Sequence, residues 1–329
     1  MTVKGPALAL APCLIASAEM MGRPHILAAA FALLCGVVFP ALADSRLDVD
    51  YAEIQPLAAD SVLLDVTRLG DRLVAVGERG HVVWSDDGEN WLQAENVPTR
   101  STLTTVFALG ERLWAGGHDA VIITSGDRGR TWTREHFDPE SGQAVMDLHF
   151  TDEHNGVAIG SYGLYLVTRD GGGTWEAGVV DEENEYHLNA MVRFPDGVRL
   201  IAGEAGYSYR SLDDGVSWQP IDLPYDGSMW GALITSRGCV VFFGLRGHVL
   251  QSCDAGENWV ELESGSQTSL SGVAEHQGML VFTGNSGTVL TWAGGGFTSH
   301  QHSSGVDFAT ALPLSGGRFL LVGEQGVHQ

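Results

Sequence analysis

One unit recurs seven times along this chain, at intervals of about 40 residues. Its clearest copy, residues 244–259, has three parts: a Gly-x-x-Gly turn, a short apolar stretch and a Ser-x-Asp-x-Gly-x-x-Trp turn. The glycines that begin the seven turns of Gly-x-x-Gly type are Gly77, Gly117, Gly160, Gly203, Gly244, Gly284 and Gly323, and the turn at Gly117 is a close variant that ends in Ala120. A period near 40 residues with four short strands per unit is typical of a β-propeller. The chain is therefore predicted to be all-β, a seven-bladed propeller of four-stranded blades.

The second repeat shows how each unit divides into strands. Apolar stretches at Leu103–Ala108, Arg112–Gly116 and Val121–Thr124 are separated by glycine-bearing turns, and Trp132–Glu135 begins a fourth strand. In a propeller, the first strand of each blade lies next to the central axis. Further inner strands are predicted at Leu63–Leu69, Val145–Phe150, Leu188–Phe194, Met229–Thr235, Leu270–Glu275 and Phe308–Leu314.

The two ends of the repeat array predict how the ring closes. The last repeat stops soon after Gly326, whereas Tyr51 lies 26 residues before Gly77, the same spacing as Trp91 before Gly117. Residues Tyr51–Ile54 are therefore expected to form an N-terminal strand that completes the last blade, which would leave no exposed sheet edge there. Repeat six also departs from the pattern, because residues 291–297 contain no aspartate.

The aspartate–tryptophan turns are predicted to be structural. A carboxylate inside a tight turn accepts backbone N–H groups, the glycine supplies a positive φ, and the tryptophan covers the gap between blades. These turns carry the aspartates Asp87, Asp127, Asp170, Asp213 and Asp254 and the tryptophans Trp91, Trp132, Trp175, Trp218 and Trp259.

The N-terminal 43 residues have the pattern of a secretory signal peptide. Arg23 precedes a 13-residue apolar run, and Ala41-Leu42-Ala43 gives a small-x-small cleavage site. We expect residues 1–20 to precede the true start at Met20 or Met21, and residues 44–329 to form one propeller domain in the periplasm, or in a lumen if the source is photosynthetic. A lipid-anchored protein starting at Cys35 is the alternative.

The charge of the expected mature chain restricts its partners. Loss of Lys4, Arg23 and Glu19 leaves 16 Arg and 40 acidic residues, a net charge of 16 − 40 = −24. Such a chain disfavours nucleic acid and anionic lipid surfaces. The acidity indicates either solubility or a protein partner with a basic surface.

The turns resemble the Asp-box, or bacterial neuraminidase repeat. Together with the seven Gly-x-x-Gly turns, from about Tyr51 to the C-terminus, the chain resembles the photosystem II stability/assembly-factor-like propellers. The resemblance implies an exported, non-enzymatic factor that helps to assemble a membrane protein complex, with no cofactor. The alternative is a sialidase-like enzyme acting on glycans, which would need three arginines converging on the substrate carboxylate. Arginines are scattered over unlike positions of this repeat.

Two further groups of side chains, three histidines and two cysteines, have spacings that suggest chemistry. His300 and His302 would share one side of a strand, with His276 in the same repeat, but no Cys or carboxylate completes a set, so no metal site is expected. If the hairpin is centred on Arg246, then Cys239 faces Cys253, close enough for a disulfide. A register slip of one residue would instead leave two free thiols.

A partner-binding face is predicted at the end of the ring that carries the linkers into each inner strand and the Gly-x-x-Gly turns. Bulky residues cluster there, namely Tyr162, Tyr186, His187, Met229, Trp230 and Phe308. Exposed aromatic side chains around a funnel are typical of a binding site. Glu78, Glu204 and Glu324 would add negative charge at the rim. The alternative, strongest for Trp230 and Phe308, is packing between inner strands. We expect a monomer.

Overall fold

A computed structural model describes residues 49–328 as seven antiparallel sheets arranged around one axis. The inner strands of neighbouring sheets touch in an unbroken cycle that ends with the seventh sheet against the first. The predicted seven-bladed propeller is therefore confirmed. Six sheets have four strands and the seventh has three.

The strands follow the repeat in order, from the axis outward in each blade. Blades one to four contain β1 (Leu63–Leu69), β2 (Arg72–Gly77), β3 (Val82–Ser85), β4 (Leu92–Gln93), β5 (Leu103–Leu109), β6 (Arg112–Gly117), β7 (Ile122–Ser125), β8 (Thr133–His136), β9 (Val145–Phe150), β10 (Gly156–Gly160), β11 (Tyr165–Thr168), β12 (Glu176–Ala177), β13 (Leu188–Arg193), β14 (Arg199–Gly203), β15 (Tyr209–Ser211) and β16 (Gln219–Pro220).

Blades five to seven contain β17 (Met229–Ile234), β18 (Val240–Gly244), β19 (Val249–Ser252), β20 (Val260–Glu261), β21 (Leu270–His276), β22 (Met279–Gly284), β23 (Thr288–Trp292), β24 (Phe297–Gln301), β25 (Phe308–Pro313), β26 (Phe319–Gly323) and β27 (Gly326–His328). Short 3-10 turns lie at Ala58–Asp60, Glu78–Gly80, Ser161–Gly163, Glu204–Gly206, Leu245–Gly247, Asn285–Gly287 and Ser315–Gly317. All seven inner strands begin at the residues that the repeat predicts.

The apolar core lies between blades rather than within them. One cluster, for example, packs Val74 and Val82 of blade one against Leu103 and Ile123 of blade two. The first residue of every inner strand is buried in these seams. Burial of apolar surface between neighbouring sheets therefore holds the ring together.

The Gly-x-x-Gly turns fix the linkers that join one blade to the next. In blade one, Gly80 has φ +72°, and a Cβ there would lie 2.1 Å from the carbonyl oxygen of Thr99 in the linker to blade two. Only glycine allows this backbone approach. The turns and linkers therefore share one end of the ring, here called the loop end. The opposite end, which carries the aspartate–tryptophan turns, is called the Asp-box end.

The prediction that Tyr51–Ile54 form the fourth strand of blade seven is wrong for the described residues. These residues form no strand, and β27 pairs only with β26. The segment lies across blade one instead, where the Ala52 N–H donates to the Val97 carbonyl at 2.9 Å. Gln93 fixes it further by accepting the Gln55 N–H at 2.7 Å and donating to the Glu53 carbonyl at 2.9 Å. In blade one, the fourth strand pairs with residues 83 and 84 of the third strand. Counted from the first glycine of each turn, the residue of blade seven that corresponds to residue 83 is residue 329, which lies outside the described part.

The signal-peptide and lipid-anchor predictions, including Cys35 and the Ala41–Ala43 site, also lie outside the described residues. Within residues 49–328, no helix has the length and hydropathy needed to cross a lipid bilayer.

Candidate functional site

At the Asp-box end, each aspartate is committed to its own turn. In blade five, Asp254 accepts the N–H groups of Glu257 and Asn258 at 3.1 and 2.9 Å and the Ser252 hydroxyl at 2.7 Å. Hydrogen bonds that stabilise the ionised carboxylate hold the pKa of Asp254 well below its usual range. Hydrogen bonds from Thr174 and Thr168 likewise lower the pKa of Asp170 to about 2. These carboxylates stabilise turns and have few acceptor positions left for a ligand.

The five tryptophans of these turns pack toward the preceding blade. Trp132 of blade two is 5% exposed and lies in a cluster with Val74 and Val76 of blade one. Its indole N–H donates to the Gly129 carbonyl at 3.2 Å, which fixes the ring against the seam. The other four tryptophans, Trp91, Trp175, Trp218 and Trp259, pack the same way, each against a cluster that contains residues of the blade before it.

At the loop end, two of the predicted aromatic residues meet across blades three and four. Tyr162 is 56% exposed on its turn, and its ring meets His187 edge-on with the centroids 4.8 Å apart. The His187 N–H lies 3.3 Å from the Glu204 carboxylate, and the ring Nδ1 lies 3.9 Å from the same oxygen. Turn and linker therefore present an aromatic pair beside a partly exposed carboxylate.

Tyr186 extends this surface outward. It stacks on Tyr207 with the ring centroids 4.0 Å apart, and a hydrogen bond between the two side chains raises the pKa of Tyr186. Glu182, Glu183 and Glu185 in the same linker are exposed. Acidic and aromatic side chains thus alternate over the rim of blades three and four.

Trp230 extends the surface inward, toward the central channel. It is 38% exposed and borders a cavity of about 230 Å³ that is also lined by His187 and Glu204. It borders the channel cavity of about 370 Å³ as well. Together, Tyr162, Tyr186, His187, Glu204, Tyr207 and Trp230 form a continuous surface, here called the loop-end patch.

The structure does not place Met229 and Phe308 in this patch. Met229 is completely buried and Phe308 is 2% exposed. Both occupy the first position of an inner strand, which faces the seam in every blade, whereas Trp230 at the second position faces the channel. Of the predicted rim carboxylates, Glu78 and Glu204 are partly buried and Glu324 is exposed.

Sequence reasoning missed Tyr207, Tyr225 and His248. Tyr225 stacks on His248 with the centroids 3.6 Å apart, and His248 Nδ1 lies 2.5 Å from the Glu261 carboxylate. Tyr207 and His248 each directly follow a Gly-x-x-Gly turn. Comparing that one position across the repeats would have found both residues.

Two aspartates with a different role line the channel. Asp65 accepts the N–H groups of Val66 and Val106, both at 2.8 Å, and so joins the inner strands of blades one and two. Asp147 does the same for blades three and four through Leu148 and Met191. Desolvation raises the pKa of Asp65 to about 6 and that of Asp147 to about 7. Both remain partly accessible to channel water.

Within residues 49–328, the paired arginines are not gathered as a sialidase would require. Arg72 donates two bonds of 2.7 Å to Asp86, while Arg193 and Arg199 both pair with Asp214. These ion pairs lie at the Asp-box end and stabilise blades. Across residues 49–328, no three His, Cys, Asp or Glu side chains converge as metal ligands.

The two cysteines that remain after the expected cleavage are joined. Cys239 and Cys253 form a disulfide whose Cα atoms are 4.1 Å apart. The register of β18 with β19 puts Val240 opposite Ser252, so the cysteines face each other one step further along. This is the pairing expected for a hairpin centred on Arg246.

Comparison with solved structures relates the ring to other propellers. A structure described as YCF48 bound to a D1 peptide superposes with a TM-score of 0.68 and 17% identity, covering 85% of this chain and 97% of that one. A streptogramin B lyase superposes with a TM-score of 0.70 and 11% identity, covering 84% and 95%. At such identities, the likeness extends to the fold alone, since one propeller serves several functions.

Curated relatives point to one group of proteins. The chain is 23% identical over 251 residues to the photosystem II stability/assembly factor HCF136 of Arabidopsis thaliana, covering 62% of each chain. It is 26% identical over 138 residues to the photosystem II assembly lipoprotein Ycf48 of Synechococcus sp. strain CC9605, covering 41% of each. The match thus spans about 62% and 41% of the length of these relatives.

A family model described as photosynthesis system II assembly factor YCF48 matches residues 135–304, more than half of the 329 residues. The matched region contains blades three to six and therefore the whole loop-end patch. The chain belongs to the photosynthesis system II assembly factor YCF48 family.

Proposed function

We propose that this protein is an exported, non-enzymatic assembly or stability factor that binds a protein segment of a membrane complex through the loop-end patch. The observation that carries the proposal is the patch itself. Exposed aromatic side chains lie beside carboxylates at the mouth of the channel, and the patch falls within the matched family region. Named relatives act in photosystem II assembly, and one solved relative is described as bound to a D1 peptide.

The chemistry of the patch suggests a partner segment that combines basic and apolar side chains. Tyrosine and tryptophan provide large, rigid contact areas at low conformational cost. Glu204 and the exposed glutamates of the linker at residues 182–185 add negative charge, which attracts a basic segment and speeds encounter. The proposed client is therefore a lysine- or arginine-bearing segment of a membrane protein, reached in the periplasm or a lumen.

The proposal is tested by capture from membranes with the mature protein, residues 44–329, and a double variant, Tyr186→Ala with Trp230→Ala. Both side chains are partly exposed, so the variant is expected to remain folded. Loss of two aromatic anchors is expected to weaken capture at least about tenfold. The matched control, Leu92→Ala with Val260→Ala, removes two exposed apolar side chains from the outer strands and should leave capture unchanged. If the aromatic double variant captures as much partner as the control variant, the partner binds elsewhere.

The enzymatic alternative has a separate test. Turnover of a fluorogenic sialoside by the mature protein would support a glycan-acting function. We expect no turnover above the uncatalysed rate. Arg72 is paired with Asp86, and Arg193 and Arg199 are paired with Asp214, all at the Asp-box end.

A further inference from the structure

The disulfide of blade five is open to solvent. Cys253, directly after β19, is exposed, and Cys239, directly before β18, is partly exposed. A reductant can therefore approach the disulfide without unfolding the ring. Exposed disulfides are the more labile ones, whereas those that only stabilise a fold usually resist reduction.

A cavity of about 200 Å³ lies against the disulfide, between blades five and six. Leu280 and Trp292 of blade six form its apolar side, and Arg237 and Glu275 are the charged residues that line it. Trp292 ends β23, just before the stretch of blade six that lacks an aspartate. The irregular repeat thus leaves a largely apolar recess beside the disulfide.

The same seam lacks a link that most other seams possess. At the second or third position of the inner strand, Asp65, Thr104, Asp147, Asn189 and Ser271 each bond to the backbone of the next blade. Blade five has Trp230 and Gly231 at these positions. Gly231 has no side chain to bond with, and in the described part of the chain Trp230 makes no such bond. Blade five is therefore joined to blade six less firmly along the channel.

What joins these blades at the Asp-box end depends on the turn that the disulfide holds. Glu275 of blade six accepts the Ser236 N–H at 2.6 Å and the Ser236 hydroxyl at 2.5 Å. Ser236 lies in the turn that Thr235 and Cys239 close through a 2.7 Å backbone bond. The disulfide ties one end of this turn to β19, so breaking it removes the covalent restraint on the turn that contacts Glu275.

We propose that Cys239–Cys253 is a thiol–disulfide exchange site, reduced by a dithiol oxidoreductase that docks at this cavity, and that reduction loosens the seam between blades five and six. A thiolate of the oxidoreductase attacks Cys253 Sγ, the S–S bond breaks, and Cys239 leaves as a thiolate that takes up a proton. The second thiol of the oxidoreductase then attacks the mixed disulfide and releases Cys253 as a thiol. Two electrons pass to this chain, and the donor is left with a disulfide.

The first test measures reduction of the folded mature protein by a thioredoxin-type dithiol protein and by dithiothreitol at equal dithiol concentration. Docking at the cavity is expected to make the protein reductant at least about tenfold faster. Arg237→Gln should slow the reaction about two- to fivefold at low salt, because the attacking group is an anion, and the difference should shrink at high salt. Arg169→Gln on blade three, the matched control, should change nothing. A protein reductant no faster than dithiothreitol would overturn the proposal.

The second test follows amide hydrogen exchange in β18, β19 and β21 before and after reduction. We expect faster exchange in these three strands, and the same acceleration in the double variant Cys239→Ser with Cys253→Ser. Exchange in β5 and β6 on the other side of the ring should stay constant. Reduction that leaves exchange at the seam unchanged would reject the proposed loosening. Neither test requires the membrane partner, so both are independent of the proposed assembly function.

Discussion

The two ends of the ring use similar residues in opposite ways. At the Asp-box end, aspartates accept hydrogen bonds from their own turns and tryptophans pack against the preceding blade. At the loop end, tyrosines and a tryptophan remain partly exposed, and the glutamates of the linker at residues 182–185 face solvent. The same repeat therefore yields a scaffold at one end and a surface free to bind at the other. Substitutions at the two ends should consequently affect different measurements.

The largest effect on stability is expected from Trp132→Ala. The side chain is 5% exposed and fills the seam between blades one and two. Loss of its buried area and the resulting cavity should lower the free energy of unfolding by about 3–5 kcal/mol. Denaturant unfolding measures the change, and capture of the partner by the remaining folded protein should be normal. If fully folded Trp132→Ala protein captured less partner, the separation between a scaffold end and a binding end would be contradicted.

The aspartates of the turns and of the channel should respond to pH with opposite signs. The pKa values of Asp170 and Asp213, lowered to about 2, give stability that is present above about pH 4 and lost as the pH falls through 2. The pKa values of Asp65 and Asp147, raised to about 6 and 7, give stability that is present below about pH 4 and lost as the pH rises through 7. These four groups together therefore favour a stability maximum near pH 4.

Asp147→Asn isolates the channel contribution. The neutral amide resembles the protonated carboxyl, so the decline in stability between pH 4 and pH 7 should become shallower by on the order of 1–2 kcal/mol, since channel water limits the desolvation. Melting temperature measured across this range checks the change. A variant with the same slope as the original protein would show that Asp147 does not titrate there.

The smallest effect on stability is expected from Tyr207→Ala at the loop end. The side chain is 37% exposed and stacks on Tyr186, so its loss should change the free energy of unfolding by less than about 0.5 kcal/mol. Binding of the captured partner should nevertheless weaken several-fold, because Tyr186 loses the ring that orients it. Equal losses of stability and binding would contradict the distinction drawn between the ends.

Much of the fold could be predicted from the sequence because each repeat carries its own turn chemistry. Turns of Gly-x-x-Gly type occur in every blade and Asp-box turns in blades one to five, and the first residues of all inner strands lie where the spacing places them. The N-terminal segment could not be placed by spacing alone. The register matches blade seven, but bonds to Val97 and Gln93 hold residues 52–55 against blade one.

The candidate site was predictable only in part. Position within the repeat separates buried Met229 and Phe308 from channel-facing Trp230, and comparison of aligned positions in the repeats contains that information. The stack of Tyr186 on Tyr207 was not predictable, because it depends on where a linker of irregular length crosses the neighbouring turn. The linkers differ most between blades, so the side-chain contacts that they make are the part of the candidate site that the sequence predicts least well.

The most direct test of the account is the footprint of the captured membrane partner in amide hydrogen exchange on the mature protein. We predict slower exchange in residues 181–187, 204–207 and 225–230, with the Asp-box turns unchanged. Protection centred on the turns around Asp170, Asp213 and Asp254, with the linkers unaffected, would contradict it.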